Sequence, residues 1–177
     1  MTYTFTVAGV TKELPLCRVN DHLEIAAFIM FSDVELTIRC AEELLKICPE
    51  FDVLVTAETK GIPLAYEMAR QSGKVYVVER KSVKIYMTDP VAVEVKSITT
   101  EQVQRLYLSK EDIAMINGRR VLIVDDVIST GDSVKAIEKL VNYAGGNIVG
   151  KAAVLAEGAA ADRGDIIFLK KLPVFPR

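Results

Sequence analysis

Val121-Leu122-Ile123-Val124-Asp125-Asp126-Val127-Ile128-Ser129-Thr130-Gly131-Asp132-Ser133 is the stretch that decides how this chain folds. Its first four residues are β-branched or leucine, with no polar break. That is the pattern of a strand buried on both faces of a parallel sheet. Two acids follow, then a Ser/Thr/Gly turn, then helix-like sequence. Ligands of open α/β sheets settle beyond the carboxyl ends of the strands. The pattern therefore places Asp125 and Asp126 at a strand's C-terminal end, with a helix N-terminus opening beside them. Ser129, Thr130, Gly131, Asp132 and Ser133 supply hydroxyls and unpaired backbone N–H groups at the helix end that carries partial positive charge. Gly131 lets the backbone approach a ligand with no Cβ in the way. A hydroxyl donating to an ionised carboxylate contributes about 1.5–3 kcal/mol. Carboxylates for sugar hydroxyls and a turn for a phosphate together suit a sugar phosphate.

Working outward, residues 2–19 alternate apolar and polar around Gly9, as a hairpin does. Residues 20–31 read as a short helix. Ser32 and Glu35 form a capping-box pair ahead of Leu36, Ala41, Leu44 and Leu45, predicting a helix that ends near Cys48, before Pro49. A strand is expected over 52–56, a helix over 62–71 and a strand over 74–78. Residues 83–118 are mixed and polar. A helix through Tyr143 stops at Gly145-Gly146, and late strands are expected over 148–155 and 166–169. Arg163-Gly164-Asp165 reads as a turn. Strand and helix alternate through the middle, which predicts an α/β fold: an open, mostly parallel sheet with helices on both faces.

Composition narrows the function classes. The chain has 177 residues, half of them apolar. That is enough for one well-filled core and too apolar for a disordered chain. A net charge of −2 leaves no electrostatic footprint for nucleic acid. The longest apolar run, residues 25–31, is too short to span a bilayer. The start shows no basic n-region or cleavage pattern, so no export and no membrane partner are expected. Cys17, Cys40 and Cys48 fit a reducing cytosol and match neither zinc nor disulfide spacing.

Two further clusters bear on anions. Val53-Leu54-Val55-Thr56 runs into Ala57-Glu58-Thr59-Lys60-Gly61 and then a helix, again a strand, a tight loop and a helix N-terminus. Arg80-Lys81-Ser82-Val83-Lys84 follows the next strand. Arg can hold two phosphate oxygens at once, and Lys offers a point charge; a solvated charged loop is the plainer reading of such a run.

From Val53 to Glu157 the chain resembles the type I phosphoribosyltransferases, above all at the Asp125-Asp126 string, which is similar to their phosphoribosyl-diphosphate (PRPP) motif. The resemblance implies a single domain over 1–177, with a small N-terminal hood from about residues 1–32 and a flexible flap over about 83–110. It gives the ribose hydroxyls to Asp125 and Asp126 and the 5′-phosphate to Ser129, Thr130, Gly131, Asp132 and Ser133. It gives the diphosphate to Thr59, Lys60, Gly61, Arg80, Lys81 and Lys84. Asp132 departs from the small neutral residue common there and is expected to point outward, leaving its N–H to the ligand. Glu101 falls near a base-assisting glutamate of adenine-specific members, and also inside a Thr99/Gln102 capping box. Glu157 falls at a strand end that contributes to base binding. A carboxylate there suits adenine's amino group better than xanthine's oxygen; an exposed strand-end acid is the alternative. The implied function is purine phosphoribosyl transfer from PRPP, with adenine as the base in purine salvage. The alternatives are xanthine or hypoxanthine/guanine as base, or a regulator that senses PRPP or nucleotides. Mg²⁺ is the implied cofactor, with no metal ligand assigned. The implied assembly is a cytoplasmic homodimer.

Overall fold

A computed structural model describes residues 1–96 and 103–176. The chain runs β1 (Thr2–Val7), β2 (Val10–Asn20), β3 (Leu23–Ala26), α1 (Val34–Ile47), β4 (Val53–Ala57), α2 (Ile62–Ser72), β5 (Val75–Glu79), β6 (Val91–Lys96), β7 (Val103–Leu108), α3 (Lys110–Ile116), β8 (Arg120–Ile128), α4 (Asp132–Tyr143), β9 (Asn147–Glu157), β10 (Ile167–Leu172) and β11 (Val174–Pro176).

The main sheet has the order β10-β9-β8-β4-β5, and every neighbouring pair is parallel. Winding proceeds from β4 out to β5, then reverses through β8, β9 and β10. The reversal falls between β4 and β8, the topological switch point where open α/β sheets bind ligands. The register makes room there. β4 pairs with β8 only from Val53↔Val121 to Val55↔Ile123, whereas β8 stays paired to β9 as far as Ile128↔Ala156. β8 therefore parts from β4 before Asp125.

Both faces of this sheet are covered, which is why its strands need continuous apolar runs. Leu54, Leu122 and Val124 pack with Leu36, Leu44 and Leu64 of α1 and α2. Val53, Val121 and Ile123 pack with Ile137 and Leu140 of α4 and with Leu106 and Leu108 of β7. The polar region expected over 83–118 contains an antiparallel β6–β7 hairpin and α3. α3 is held by a full capping box: Ser109 N–H and Oγ donate to Asp112 Oδ2, both at 2.9 Å, and Asp112 N–H donates back to Ser109 Oγ at 3.2 Å.

A second, antiparallel sheet of order β1-β2-β3-β11 lies at the N-terminal end. The β1–β2 hairpin turns at Ala8 and Gly9, as the sequence predicts. The short helix expected over 20–31 does not form. β2 runs to Asn20 and β3 returns over Leu23–Ala26. Ala26, Phe28 and Met30 are buried while Ile29 is 54% exposed, so the apolar run is used with a period of two. Asp33, not Ser32, caps α1: its carboxylate accepts the Leu36 N–H at 3.2 Å, and Ser32 sits outside the helix at φ +65°. β11, which sequence reading did not anticipate, pairs with β3 and so adds the C-terminal segment to this sheet.

Candidate active site

The slot between β4 and β8 opens into a cavity of about 260 Å³. Asp125, Asp126, Ser129, Ser133, Thr59, Lys60 and Lys81 all line it. Three separate segments of sequence thus converge on one space. Leu106 of β7 forms part of its wall.

Asp125 and Asp126 lie three and two residues before the last residue of β8, because β9 continues alongside. Asp126 is 2% exposed. Among the described residues its Oδ2 has no hydrogen-bond partner, and the cation beside it is Lys60, with Nζ at 4.0 Å. Asp126 N–H donates to Asp125 Oδ1 at 2.9 Å. Burial, and then the adjacent Asp126 carboxylate, push the Asp125 carboxyl well above the ordinary aspartate range. Two acids held this closely in a sparsely solvated slot are costly to keep ionised. Hydroxyl donors arriving in the slot would relieve that cost.

The Thr59–Gly61 loop packs closely against Asp125 at Gly61. A Cβ at Gly61 would overlap the Thr56 hydroxyl oxygen and lie 3.1 Å from Asp125 Oδ1 and 3.3 Å from Asp125 Cα. The Glu58–Thr59 peptide bond preceding it is cis. Glu58, which sequence reading passed over, organises the basic cluster. Its carboxylate accepts the Lys81 N–H at 2.9 Å and lies 3.5 Å from Arg80 Nη1 and 3.7 Å from Lys84 Nζ. The Lys81 N–H bond, followed by the Lys84 and Arg80 cations, holds the Glu58 carboxyl below its ordinary range. An acid in one βα loop facing a basic run after the next strand was the signal available in the sequence.

The turn after β8 carries Gly131 at φ +83°, a left-handed conformation that favours glycine, and α4 begins at Asp132. Thr130 Oγ1 donates to Asp132 Oδ2 at 3.2 Å, and Lys135 Nζ lies 3.8 Å from Asp132 Oδ1. The Asp132 carboxylate is thus folded onto its own turn and first helical turn. Glu157 ends β9 and is not among the residues lining the cavity; burial raises its pKa and the Lys60 charge opposes that rise. Glu101 lies outside the described residues. Among the described residues there is no cluster of three or more His, Cys, Asp or Glu able to hold a metal, and no helix is long and apolar enough to cross a membrane.

Residues 36–172 match the phosphoribosyl transferase domain family. The chain is 34% identical over 135 residues to an adenine phosphoribosyltransferase of Rhodococcus jostii, covering 76% of this chain and 73% of that protein. It is 33% identical over 113 residues to the purine biosynthesis transcriptional repressor PurR of Bacillus subtilis, covering 64% of this chain and 39% of the repressor. The fold is similar to the crystal structure of an adenine phosphoribosyltransferase from Thermoanaerobacter pseudethanolicus, with a TM-score of 0.75, 23% identity, and coverage of 90% of this chain and 95% of that one.

Proposed function

The chain belongs to the phosphoribosyl transferase family, with the type I fold and in its purine branch, and from that premise we propose that it transfers the 5-phosphoribosyl group of PRPP to a purine, with adenine as the base. The observation that carries this reading is Asp126. A carboxylate 2% exposed, with an oxygen lacking any partner, faces a cavity edged by Ser129, Ser133, Thr59 and Lys60. Burying such a group unsatisfied is expensive, and a vicinal diol is the kind of group that fits it.

In this reading Asp125 and Asp126 accept the ribose hydroxyls, the Ser129–Ser133 turn holds the 5′-phosphate, and the Thr59–Gly61 loop with Arg80, Lys81 and Lys84 holds the diphosphate. A purine ring nitrogen attacks the anomeric carbon. The bond from that carbon to the diphosphate oxygen breaks, and the diphosphate leaves with the electron pair, while the attacking nitrogen gives up its proton to solvent or to the departing diphosphate. Positive charge develops on the ribose in passing. The two fixed carboxylates lie where they stabilise it, and the basic cluster screens the leaving group. The residues supply position and charge and form no covalent intermediate. The donor set also suits Mg²⁺, which is held by one or two carboxylates together with substrate phosphates. The unpartnered Asp126 oxygen and Asp125 are the protein donors present, and Mg²⁺ would neutralise negative charge on the diphosphate.

Glu157, at the end of β9, supports adenine because an ionised carboxylate accepts from an amino group. A second copy of this chain is the partner we assign to the apolar groove of about 430 Å³ between α1 and α2, where Phe31, Val34 and Tyr66 are 48%, 70% and 53% exposed. The likeness to a repressor over 113 residues sustains a second reading, a PRPP-sensing regulator. Diphosphate release, measured with PRPP, Mg²⁺ and each purine in turn, separates the two. Turnover with adenine is expected. Tight PRPP binding with no turnover on any base would establish the regulator instead.

A further inference from the structure

Arg163 stands over the turn that follows β8. Gly131 is buried, and a Cβ there would overlap Arg163 Nη1 and come 3.6 Å from its Cζ, so the guanidinium lies directly on the glycine. The side chain is fixed in place. Its Nε and Nη2 donate to Asp165 Oδ1 and Oδ2 at 2.9 and 2.8 Å. Asp165 Oδ2 also accepts from Lys151 Nζ at 2.8 Å, and the same Nζ donates to Glu138 of α4 at 2.8 Å. Asp165 therefore engages two guanidinium nitrogens and leaves the third, Nη1, on Gly131.

The turn needs such a cation. Residues 129–133 contain none, and they include the acid Asp132. A phosphate monoester brings about 1.5–2 further negative charges at neutral pH, while a helix N-terminus offers the equivalent of only about half a positive charge. Arg163 meets this turn at Gly131 and does not itself line the adjoining cavity; that cavity, lined by Ser129 and Ser133 of the turn, is independently marked for a ligand by the buried, unpartnered Asp126 Oδ2.

We propose that Arg163 is a phosphate-binding and specificity residue: its Nη1 holds the terminal phosphate of a phosphorylated pentose at the Ser129–Ser133 turn, so that the site takes the phosphorylated sugar and rejects the bare one. This rests on the PRPP reading. A guanidinium preset by Asp165 loses little freedom on meeting a phosphate oxygen, and the contact is charge-assisted.

The test is calorimetric titration of the full chain with ribose 5-phosphate, PRPP and ribose, for the wild type, Arg163→Gln and Arg163→Lys. Wild-type protein should bind the two phosphorylated ligands and prefer ribose 5-phosphate to ribose. Arg163→Gln should weaken both about tenfold to a hundredfold, the range of a charge-assisted hydrogen bond. Arg163→Lys, which restores a cation, should recover part of the loss. Arg163→Gln with wild-type affinity for both phosphorylated ligands overturns the role of Arg163 and leaves the PRPP reading standing. Wild-type protein that binds neither overturns the PRPP reading, and this role with it. Should Arg163→Gln not fold, Arg163→Met, which also removes the cation, decides in its place, since undiminished affinity in that variant refutes the role.

Discussion

Gly61→Ala is the substitution that most directly probes whether the diphosphate loop and the acid pair form one device. The glycine has φ −76° and ψ −12°, which alanine adopts without strain, so any cost comes from contact alone. The new Cβ would overlap Thr56 Oγ1 and press on Asp125 at 3.1 Å from Oδ1 and 3.3 Å from Cα. One extra methyl forced into such a packed site costs about 1–3 kcal/mol. Thr56 is fully buried and its hydroxyl has no partner, so removing that oxygen should cost little beyond the lost methyl packing. The cycle of Gly61→Ala, Thr56→Ala and the double variant should therefore be strongly non-additive, the double recovering about 1 kcal/mol or more relative to the sum. Thr56→Ser keeps the oxygen and should recover nothing. Urea unfolding gives the stability terms, and the PRPP KM should rise about tenfold in Gly61→Ala if Asp125 is displaced by the equivalent of about 1.4 kcal/mol. Additivity within about 0.5 kcal/mol, with unchanged KM, would refute the coupling between loop and acid pair.

Asp126→Asn should lower kcat about a hundredfold or more with little change in melting temperature, because the carboxylate oxygen it replaces is buried with no hydrogen-bond partner among the described residues; wild-type turnover would sink the ribose assignment. Glu79 is fully buried, neither of its carboxylate oxygens has a partner, and burial followed by the charge of Asp112 raises its pKa well above the usual value. The folded protein thus holds a proton that the unfolded chain releases near pH 4.3, so stability contributed by this group is present below that pH and is lost as pH rises above it, by about 1.4 kcal/mol per unit. Glu79→Gln should flatten that slope in unfolding measured between pH 5 and 7, and an unaltered slope would show that Glu79 is not its source. Glu157→Lys should favour xanthine at the expense of adenine in paired kcat/KM measurements; equal effects on both bases would mean that the side chain does not read them.

The main sheet was legible because its strands are buried on both faces and so announce themselves as unbroken apolar runs, Val53–Val55 and Val121–Val124. The chemistry could be read for the same reason: acids that interrupt such a run stand out, and the Ser129–Ser133 turn lies next to them in sequence. The hood was harder. Residues 25–31 are all apolar, so neither a period of two nor of 3.6 can be seen in them, and only the pairing of β3 with β2 and β11 decides that Ile25 and Ala26 end a strand. β11 is three residues long and gains its meaning from a partner about 150 positions away. Glu58 and Arg163 escaped for a related reason, since each is an ordinary surface residue in its own segment and acquires a role only when the fold brings a distant cluster onto it.

What unites Lys60, Arg80, Lys84 and Arg163 is that each already has a carboxylate neighbour before any ligand arrives. Lys60 lies by Asp126, Arg80 and Lys84 lie by Glu58, and Arg163 is bound to Asp165. A phosphorylated ligand therefore does not create ion pairs from solvated charges. It exchanges one anionic partner for another, and the desolvation of each cation is partly complete in the free protein. Such preorganisation favours position over raw affinity. The exchange also leaves carboxylates behind, and the ligand must satisfy them with its own donors or with an accompanying cation. Asp165 keeps Lys151 and Glu58 keeps the Lys81 N–H. Asp126, whose Oδ2 has no hydrogen-bond partner, keeps nothing comparable. A ligand that brought phosphates alone would worsen that position, whereas one that carries hydroxyl donors on the same frame corrects it. On the proposed reading, a ligand that carries both groups on one frame would therefore bind better than an unphosphorylated sugar, which leaves the cations with only their present partners.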